Sequence, residues 1–421
     1  MNLHNFSYLP LDIIMLPCQI IFSLVAMYFF ILGMAGLVRY RAPQVHEPQK
    51  KLAIIVPAHN EEVVIGSLVD NLTSLDYPKE LYDVFVIADN SDDNTATVAR
   101  AHGASVYERT NSEQRGKGFA LEWFFAKLYN MPKKYDAVVV FDADNLVHSQ
   151  FLKHMNNHLC NGSKIVQGYI DAKNPLDTWV TSAFAMSFWV ANRMLQLARY
   201  NLGLSSYLGG TGMVISLDVL RKIGWGATSL TEDLEFSFKA LLLGYKTSWA
   251  HEAKVYDEKP LTFNQAWKQR KRWALGHVEL FRKYSMKFIK EAFCKKSITL
   301  LDGAIQTLQP LLVIIVGIFT AIGFIGTYAP VDMYTPIFKH LWPPLLWSLV
   351  STLQIIYPFL VIWFDKLPRK AIKWTVAHYP IFVYSWIPIM CICFFKKTNV
   401  SWSHTLHTRN ISYADITTRD R

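Results

Sequence analysis

The chain has 421 residues, of which 51% are hydrophobic, 14% aromatic and only 18% charged. That balance excludes a disordered chain and fits poorly with an ordinary soluble enzyme, and the length allows two or three domains. The formal charge is +10, and the five cysteines, at 18, 160, 294, 391 and 393, are too dispersed for a disulfide framework. Cys391 and Cys393 lie in an apolar run without the His and Cys partners of a zinc site.

The first element in chain order is an uncharged run at 13–38, longer than the roughly 20 residues needed to cross a bilayer core. No Lys or Arg precedes it within residues 1–12 and no small-residue cleavage site follows, so it reads as a membrane anchor rather than a signal peptide. Arg39, Arg41, Lys50 and Lys51 come next, which places the following domain in the cytosol by the positive-inside bias. We therefore expect an N-terminal span within 1–40 and a hydrophilic domain over 41–261.

Within that domain strand and helix patterns alternate. Leu52–Val56, Val84–Ala88, Ser105–Glu108 and Ala137–Phe141 read as strands. Helical periodicity starts near Glu61, covers Lys117–Tyr129 and returns at Leu234–Leu243. This alternation predicts an α/β domain, a mostly parallel sheet with helices on both faces, whose ligands lie at the carboxyl ends of the strands. No GxGxxG or Walker lysine motif is present, which disfavours dinucleotide and P-loop enzymes. Leu176–Tyr200 and Phe263–Ile289 are aromatic, and the second carries seven Lys and Arg residues. Both read either as interfacial helices or as ordinary core-facing ones.

Residues 262–302 form a basic, aromatic segment, and uncharged runs at 303–331, 341–364 and 374–395 predict about three more spans within 303–395. The loop 365–373, with Lys366, Arg369, Lys370 and Lys373, suits the cytosol, and the loop 332–340, with one Lys, the outside. Pro380 and Pro388 divide the last run, which reads as a crossing or as a re-entrant segment. The side of the tail, 396–421, stays open.

Several motifs can carry chemistry. Asp142-Ala143-Asp144 closes a strand, and two carboxylates at that spacing suit a hard divalent cation on a diphosphate; a solvated strand end is the alternative. Asp89, with Asp92 and Asp93 close by, ends another strand, where a carboxylate can accept hydrogen bonds from a base or ribose, or simply make a polar turn. Arg115-Gly116-Lys117-Gly118 offers cations and small residues to a phosphate, or is an exposed loop. Thr231-Glu232-Asp233 opens a helix, with Thr231 as its cap; the acids either favour the helix dipole or supply a general base for a sugar hydroxyl. In Gln269-Arg270-Lys271-Arg272-Trp273, Arg272 suits phosphate oxygens and Trp273 the face of a sugar.

In order, VPAHNEE, ADNSDDN, DAD, GGTG, TED and QRKRW, followed by apolar runs, resemble the membrane-embedded glycosyltransferases of family 2, the cellulose, chitin, hyaluronan and poly-N-acetylglucosamine synthases, over about residues 50–275. Trp402 and Thr405 add a weak match to a W-x-x-T element. The resemblance implies a GT-A nucleotide-sugar fold that uses Mg2+ or Mn2+. It implies that Asp89 and Lys117 bind the nucleotide sugar and that Asp142 and Asp144 mark the metal and diphosphate. Asp233 would be the catalytic base, with Glu232, Gly210, Thr211, Gln269, Arg272 and Trp273 around the acceptor and diphosphate. The implied function is inverting transfer from a UDP-sugar to a β-linked polymer exported through the plasma membrane. The alternative is a non-processive enzyme that glycosylates a membrane lipid, as ceramide glucosyltransferases do. A transporter or scaffold is disfavoured by the retained acidic motifs, and the +10 charge is not read as nucleic-acid binding because Lys and Arg flank spans and line a diphosphate cleft.

Overall fold

The computed structural model describes residues 9–226, 229–328, 344–395 and 409–419. A long helix, α1 (Leu9–Leu37), leads into three strand–helix units: β1 (Leu52–Ala58), α2 (Ile65–Thr73), β2 (Tyr82–Asp89), α3 (Thr95–Ala101), β3 (Ser105–Arg109) and α4 (Lys117–Leu128). Then come β4 (Ala137–Val140), β5 (Leu146–Val147), α5 (Phe151–Cys160) and β6 (Ile165–Ala172). After them α6 (Trp179–Ala191) runs through a π turn, Asn192–Leu197, into α7 (Ala198–Asn201). The domain closes with β7 (Met213–Ser216), α8 (Leu217–Ile223), α9 (Glu232–Leu242) and β8 (Thr247–Asp257).

The eight strands form one mixed sheet in the order β3-β2-β1-β4-β7-β6-β8-β5. The ladders β3·β2, β2·β1, β1·β4 and β6·β8 are parallel, and β4·β7, β7·β6 and β8·β5 antiparallel. Strand alternation sorts β1 into two cores: Ile54 and Val56 face the layer of α2 and α5, and Ala53 and Ile55 face that of α4 and α9. A central strand covered on both faces needs a continuous apolar run, which is why Leu52–Val56 was readable. The four strands expected from sequence are all present. The helix expected from Glu61 starts four residues later, at Ile65, because Glu61 begins a turn whose carbonyl accepts from Val64 and Ile65.

The helical part follows: α10 (Phe263–Cys294), α11 (Ile298–Thr307), α12 (Gln309–Tyr328), α13 (Pro344–Phe364), α14 (Ile372–Tyr384), α15 (Trp386–Phe395) and α16 (Tyr413–Arg419). A reciprocal cap starts α10: Thr262 Oγ1 accepts from Gln265 N, and the Gln265 side chain accepts from Thr262 N. Two buried ion pairs fasten this part to the domain, Arg193–Asp365 and Arg199–Asp302, the second joined by Tyr28 of α1. Removing one partner of such a pair costs about 3–5 kcal/mol, since the other charge stays buried.

Four crossings were expected. Among the described residues one stretch, His378–Phe395, is long and apolar enough to cross a membrane, and Ile298–Thr307 with Gln309–Ile318 make a second only if their 60° bend is counted within one broken span. Ser23–Leu37 and Ile355–Phe364 are shorter apolar helices. The loop 332–340, and Trp402 with Thr405, lie outside the described residues.

Candidate active site

A cleft of about 940 Å³ opens where β1, β2, β4 and β8 end, between the sheet and α10. It is lined by every site residue singled out from sequence: Asp89, Lys117, Asp142, Asp144, Gly210, Thr211, Glu232, Asp233, Gln269, Arg272 and Trp273.

At one end lies Asp89, 5% exposed, the last residue of β2. Arg109, its register partner on β3, donates to Asp89 Oδ1 at 2.5 Å, and Asn90 Nδ2 donates to the same oxygen at 3.0 Å. Arg109 also donates to Gln114 O at 2.8 Å, so it ties Asp89 to the loop that carries Arg115 and Lys117. Sequence reasoning missed Arg109; the available signal was an arginine closing one strand beside an aspartate closing the next.

Lys117 opens α4 behind Gly116, whose φ of +115° suits glycine. Its ammonium donates to Asp142 Oδ1 at 2.5 Å and to Gly210 O at 2.6 Å. Burial opposes the charge on Lys117, but Asp142, Glu232 and Asp233 more than offset it and hold its pKa above the ordinary lysine value. Gly210, at φ +86°, lies against Asp233: a Cβ there would be 3.3 Å from Asp233 Oδ2. The GGTG turn therefore brings a backbone carbonyl, an ammonium and the Asp233 carboxylate together.

Asp142 and Asp144 follow β4. Asp142 N donates to Asn145 Oδ1 and to Thr211 Oγ1, both at 3.2 Å, and Thr211 Oγ1 donates to Asn145 Oδ1. Asn145 Nδ2 then donates to Asp144 Oδ1 at 3.1 Å and to Asp257 Oδ1 at 3.2 Å. Asp257 and Lys259, which pairs with it at 2.7 Å, were not found from sequence because β8 had not been recognised as a strand, and Asn145 was not found because it forms no motif of its own. Asp142 and Asp144 offer carboxylate oxygens of the kind a divalent cation bound to a diphosphate would take from protein. Among the described residues no group of three His, Cys, Asp or Glu side chains is placed to hold a metal alone. The donor set thus fits a cation shared with substrate, and not a cation caged by protein.

Glu232 and Asp233 start α9. Burial, then the neighbouring Asp233 charge, pushes the Glu232 carboxyl up to about 7, against the pull of Lys117 and Arg272. Burial also raises Asp233. Thr231 occupies the cap position, as expected, but makes no side-chain cap bond, and its buried Oγ1 has no partner among the described residues. The hydroxyl instead packs on α10, where a Cβ at Gly276 would lie 2.6 Å from it. Further along α9, Glu235 accepts from Lys283 at 2.6 Å and Tyr284 at 3.0 Å, which joins the two helices again.

On α10, Gln265, Gln269, Arg272, Trp273 and His277 recur at helical spacing and line the cleft as one stripe. Trp273 stands edge-on to Phe184 and Phe188 of α6, with ring centroids 5.8 and 6.1 Å away. Gln269 Oε1 is buried without a partner among the described residues, an acceptor set in the cleft wall. His277, lowered to about 4 by burial, is a neutral imidazole further along the stripe.

A nucleotide-sized cleft at strand carboxyl ends, walled by acids, a lysine and an aromatic helix, defines a group-transfer enzyme of the GT-A-like class. Residues 48–276 match the family described as "Glycosyltransferase like family 2". The chain belongs to that family and is a glycosyltransferase. It is 28% identical to a probable glycosyltransferase, YdaM, of Bacillus subtilis, over 57% of this chain and 58% of that one. It is 27% identical to a beta-monoglucosyldiacylglycerol synthase of Synechocystis, over 56% of this chain and 50% of that one. A poly-beta-1,6-N-acetyl-D-glucosamine synthase of Staphylococcus epidermidis is 25% identical, over 57% of this chain and 58% of that one. The chain thus spans about half the length of the curated relatives it matches. Among solved structures, mannosyltransferase PcManGT of Pyrobaculum calidifontis, in complex with GDP-Man and Mn2+, shares the fold. Its TM-score is 0.58 at 17% identity, over 91% of this chain and 98% of that one.

Proposed function

We propose that this chain transfers a sugar from a UDP-sugar, with inversion, to a growing β-linked polysaccharide at the membrane, coupled to its export. The observation that carries the reading is the position of Asp233. It lies between the Lys117–Asp142–Gly210 cluster and the α10 stripe, where the two substrates of a transfer would meet.

Asp233 takes the proton of the acceptor hydroxyl as that oxygen bonds to the anomeric carbon. The bond from that carbon to the diphosphate breaks on the opposite face, and the nucleoside diphosphate departs with the electron pair. A carboxyl pKa raised by burial makes Asp233, once ionised, a stronger base than a solvated aspartate. Lys117 and Arg272 hold the charge that develops on the diphosphate. Mg2+ or Mn2+, held by Asp142 and Asp144, would supply further neutralisation of that leaving group. Asp89, oriented by Arg109, binds the nucleoside. Glu232, Gln269 and Thr211 hydrogen-bond the acceptor or diphosphate, Gly210 lets a sugar approach the backbone, and Trp273 gives a sugar ring its aromatic face.

The apolar helices and the basic segment support an integral place in the plasma membrane, with the catalytic domain cytosolic. A second reading, addition of one or a few sugars to a membrane lipid, is favoured by the likeness to the glucosyldiacylglycerol synthase. Purified protein given a panel of nucleotide sugars, with mass analysis of the product, tests both. A ladder or high polymer supports the first, a singly glycosylated lipid the second, and no nucleotide release with any donor overturns both.

A further inference from the structure

The stretch that best satisfies the criteria for a span, His378–Phe395, is held to the catalytic domain on both flanks. Upstream, Asp365 follows directly on α13. It accepts from Arg193 at 2.8 Å, from Tyr169 at 3.1 Å and lies 3.2 Å from His251, all three in the catalytic domain. Downstream, Arg409 pairs with Asp177, and its carbonyl accepts from Lys173 at 3.2 Å. Ile416 of α16 is buried against Leu146 and Tyr256 of the sheet. The chain therefore enters and leaves the segment between Asp365 and Arg409 on the same face.

Thirteen residues, 396–408, separate Phe395 from Arg409. As helix they reach only about 20 Å, short of the roughly 30 Å hydrocarbon core, and an extended lipid-exposed strand would leave its backbone groups unsatisfied. A helical return across a bilayer therefore does not fit between Phe395 and Arg409.

The segment is also fastened along α10. The buried Arg270 guanidinium donates to Phe382 O at 3.0 Å and Ser385 Oγ at 2.8 Å, where α14 gives way to α15. Arg282 donates to Phe394 O at 2.8 Å near the far end. A crossing α15 would carry α10 with it, and α10 holds eight Lys and Arg residues. Each charge near the bilayer centre costs about 2.5–3.5 kcal/mol even on the lenient scale. α10, the first residue of α11 and the last of α15 expose apolar side chains, Met286 at 73%, Phe293 at 74%, Ile298 at 72% and Phe395 at 79%, and Lys287, Lys290, Lys295 and Lys296 are close by in sequence to the first three. Apolar side chains fringed by lysine fit the boundary between acyl chains and anionic headgroups.

We infer that α14 and α15 form a re-entrant hairpin lying with α10 in the cytosolic leaflet, so that the bilayer surface is the partner of this face. The chain then crosses only at α1, α12 and α13, and its tail shares the cytosolic face with the cleft. This rests on the membrane placement proposed above.

The test is single-cysteine labelling of the full chain in sealed vesicles of both orientations, with a membrane-impermeant maleimide and the five native cysteines replaced by alanine. Lys134→Cys reports the catalytic domain, Lys370→Cys the link after α13, Ala414→Cys the tail and Lys339→Cys the α12–α13 loop. The expected result is Lys134, Lys370 and Ala414 positions labelling from one face and the Lys339 position only from the other. Labelling of Ala414→Cys together with Lys339→Cys would mean that the hairpin crosses, and overturns the inference alone. Labelling of all four positions from one face would mean that α12 and α13 do not cross, and overturns the membrane placement and the inference with it. Should the cysteine-free background fail to fold, a protease-cleavable tag on the tail of the native sequence reads the same face.

Discussion

Asp233 carries the most chemical weight. Asp233→Asn keeps the shape and loses the base, so transfer should fall by about 10²–10⁴-fold while UDP affinity in a binding titration changes little. Turnover near the parent value would reassign the role. The pair Glu232 and Asp233 also sets a pH dependence. Both carboxyls are raised, Glu232 to about 7, because burial disfavours their charged forms. The base must be ionised to act, so the acid limb of kcat should lie above the range of a solvated aspartate. In Glu232→Gln the carboxyl raised to about 7 is removed, and any part of the acid limb near neutrality that belongs to Glu232 should go with it. A limb that stays in place would show that Glu232 does not share the titration. At the metal site, Asp144→Ala should weaken both UDP affinity and the response to added Mn2+. Full parent activity in excess chelator would reduce the Asp142–Asp144 pair to a strand end.

At the level of elements, the QxxRW helix is positioned by a close approach to the TED helix. Gly276 of α10 meets Thr231 with no room for a methyl group: the added Cβ would be 2.6 Å from both Thr231 Oγ1 and Cγ2. Gly276→Ala should push α10 away from α9 at a cost of about 1–3 kcal/mol. Arg272 and Trp273 would move with it, so kcat should fall more than UDP affinity. Thr231→Ala removes the two nearest atoms, and the double variant should recover part of the loss, measured as a coupling energy in a double-mutant cycle. The sequence revealed the parallel half of the sheet because β1, β2 and β4 are apolar runs buried on both faces. It did not reveal β7, a four-residue strand whose identity depends on antiparallel partners on both sides, or β8, where Lys254 and Glu252 interrupt the apolar pattern. The candidate site residues were legible because the acids among them sit at strand and helix ends, where the pattern breaks. Arg109 and Asn145 were not, since they act through Asp89 and Asp144 and form no motif of their own.

For the whole molecule, the cleft is shared between two parts of the chain: the sheet supplies one wall and α10 the other, which the proposed function takes as the nucleotide and acceptor sides. A fragment of about residues 45–260 keeps Asp89, Lys117, Asp142 and Asp144 but lacks Gln269, Arg272 and Trp273. It should bind UDP and fail to transfer sugar, assayed as nucleotide binding against product formation. Product at a rate near that of the full chain would mean that the cleft is complete without α10. The start of α10 at Phe263 was legible, but the helix runs five residues past the expected Ile289, to Cys294. Its docking was not legible, because the anchors that hold it, Glu235, Phe382 and Ser385, lie far away in sequence.

The π turn at Asn192–Leu197 has a consequence for insertions and deletions. It adds a residue between two sets of buried polar contacts: Trp189 Nε1 on Asp171 at 2.7 Å before it, and Arg199 on Asp302 at 3.1 Å after it. Each residue of a helix turns the chain by about 100°, so an α-helix through this stretch would be out of phase with one set or the other. Loss of a single residue here would swing Arg199 off Asp302 and strand a carboxylate in the interior. The residue count of this short segment is therefore as tightly constrained as the buried Arg193 it carries.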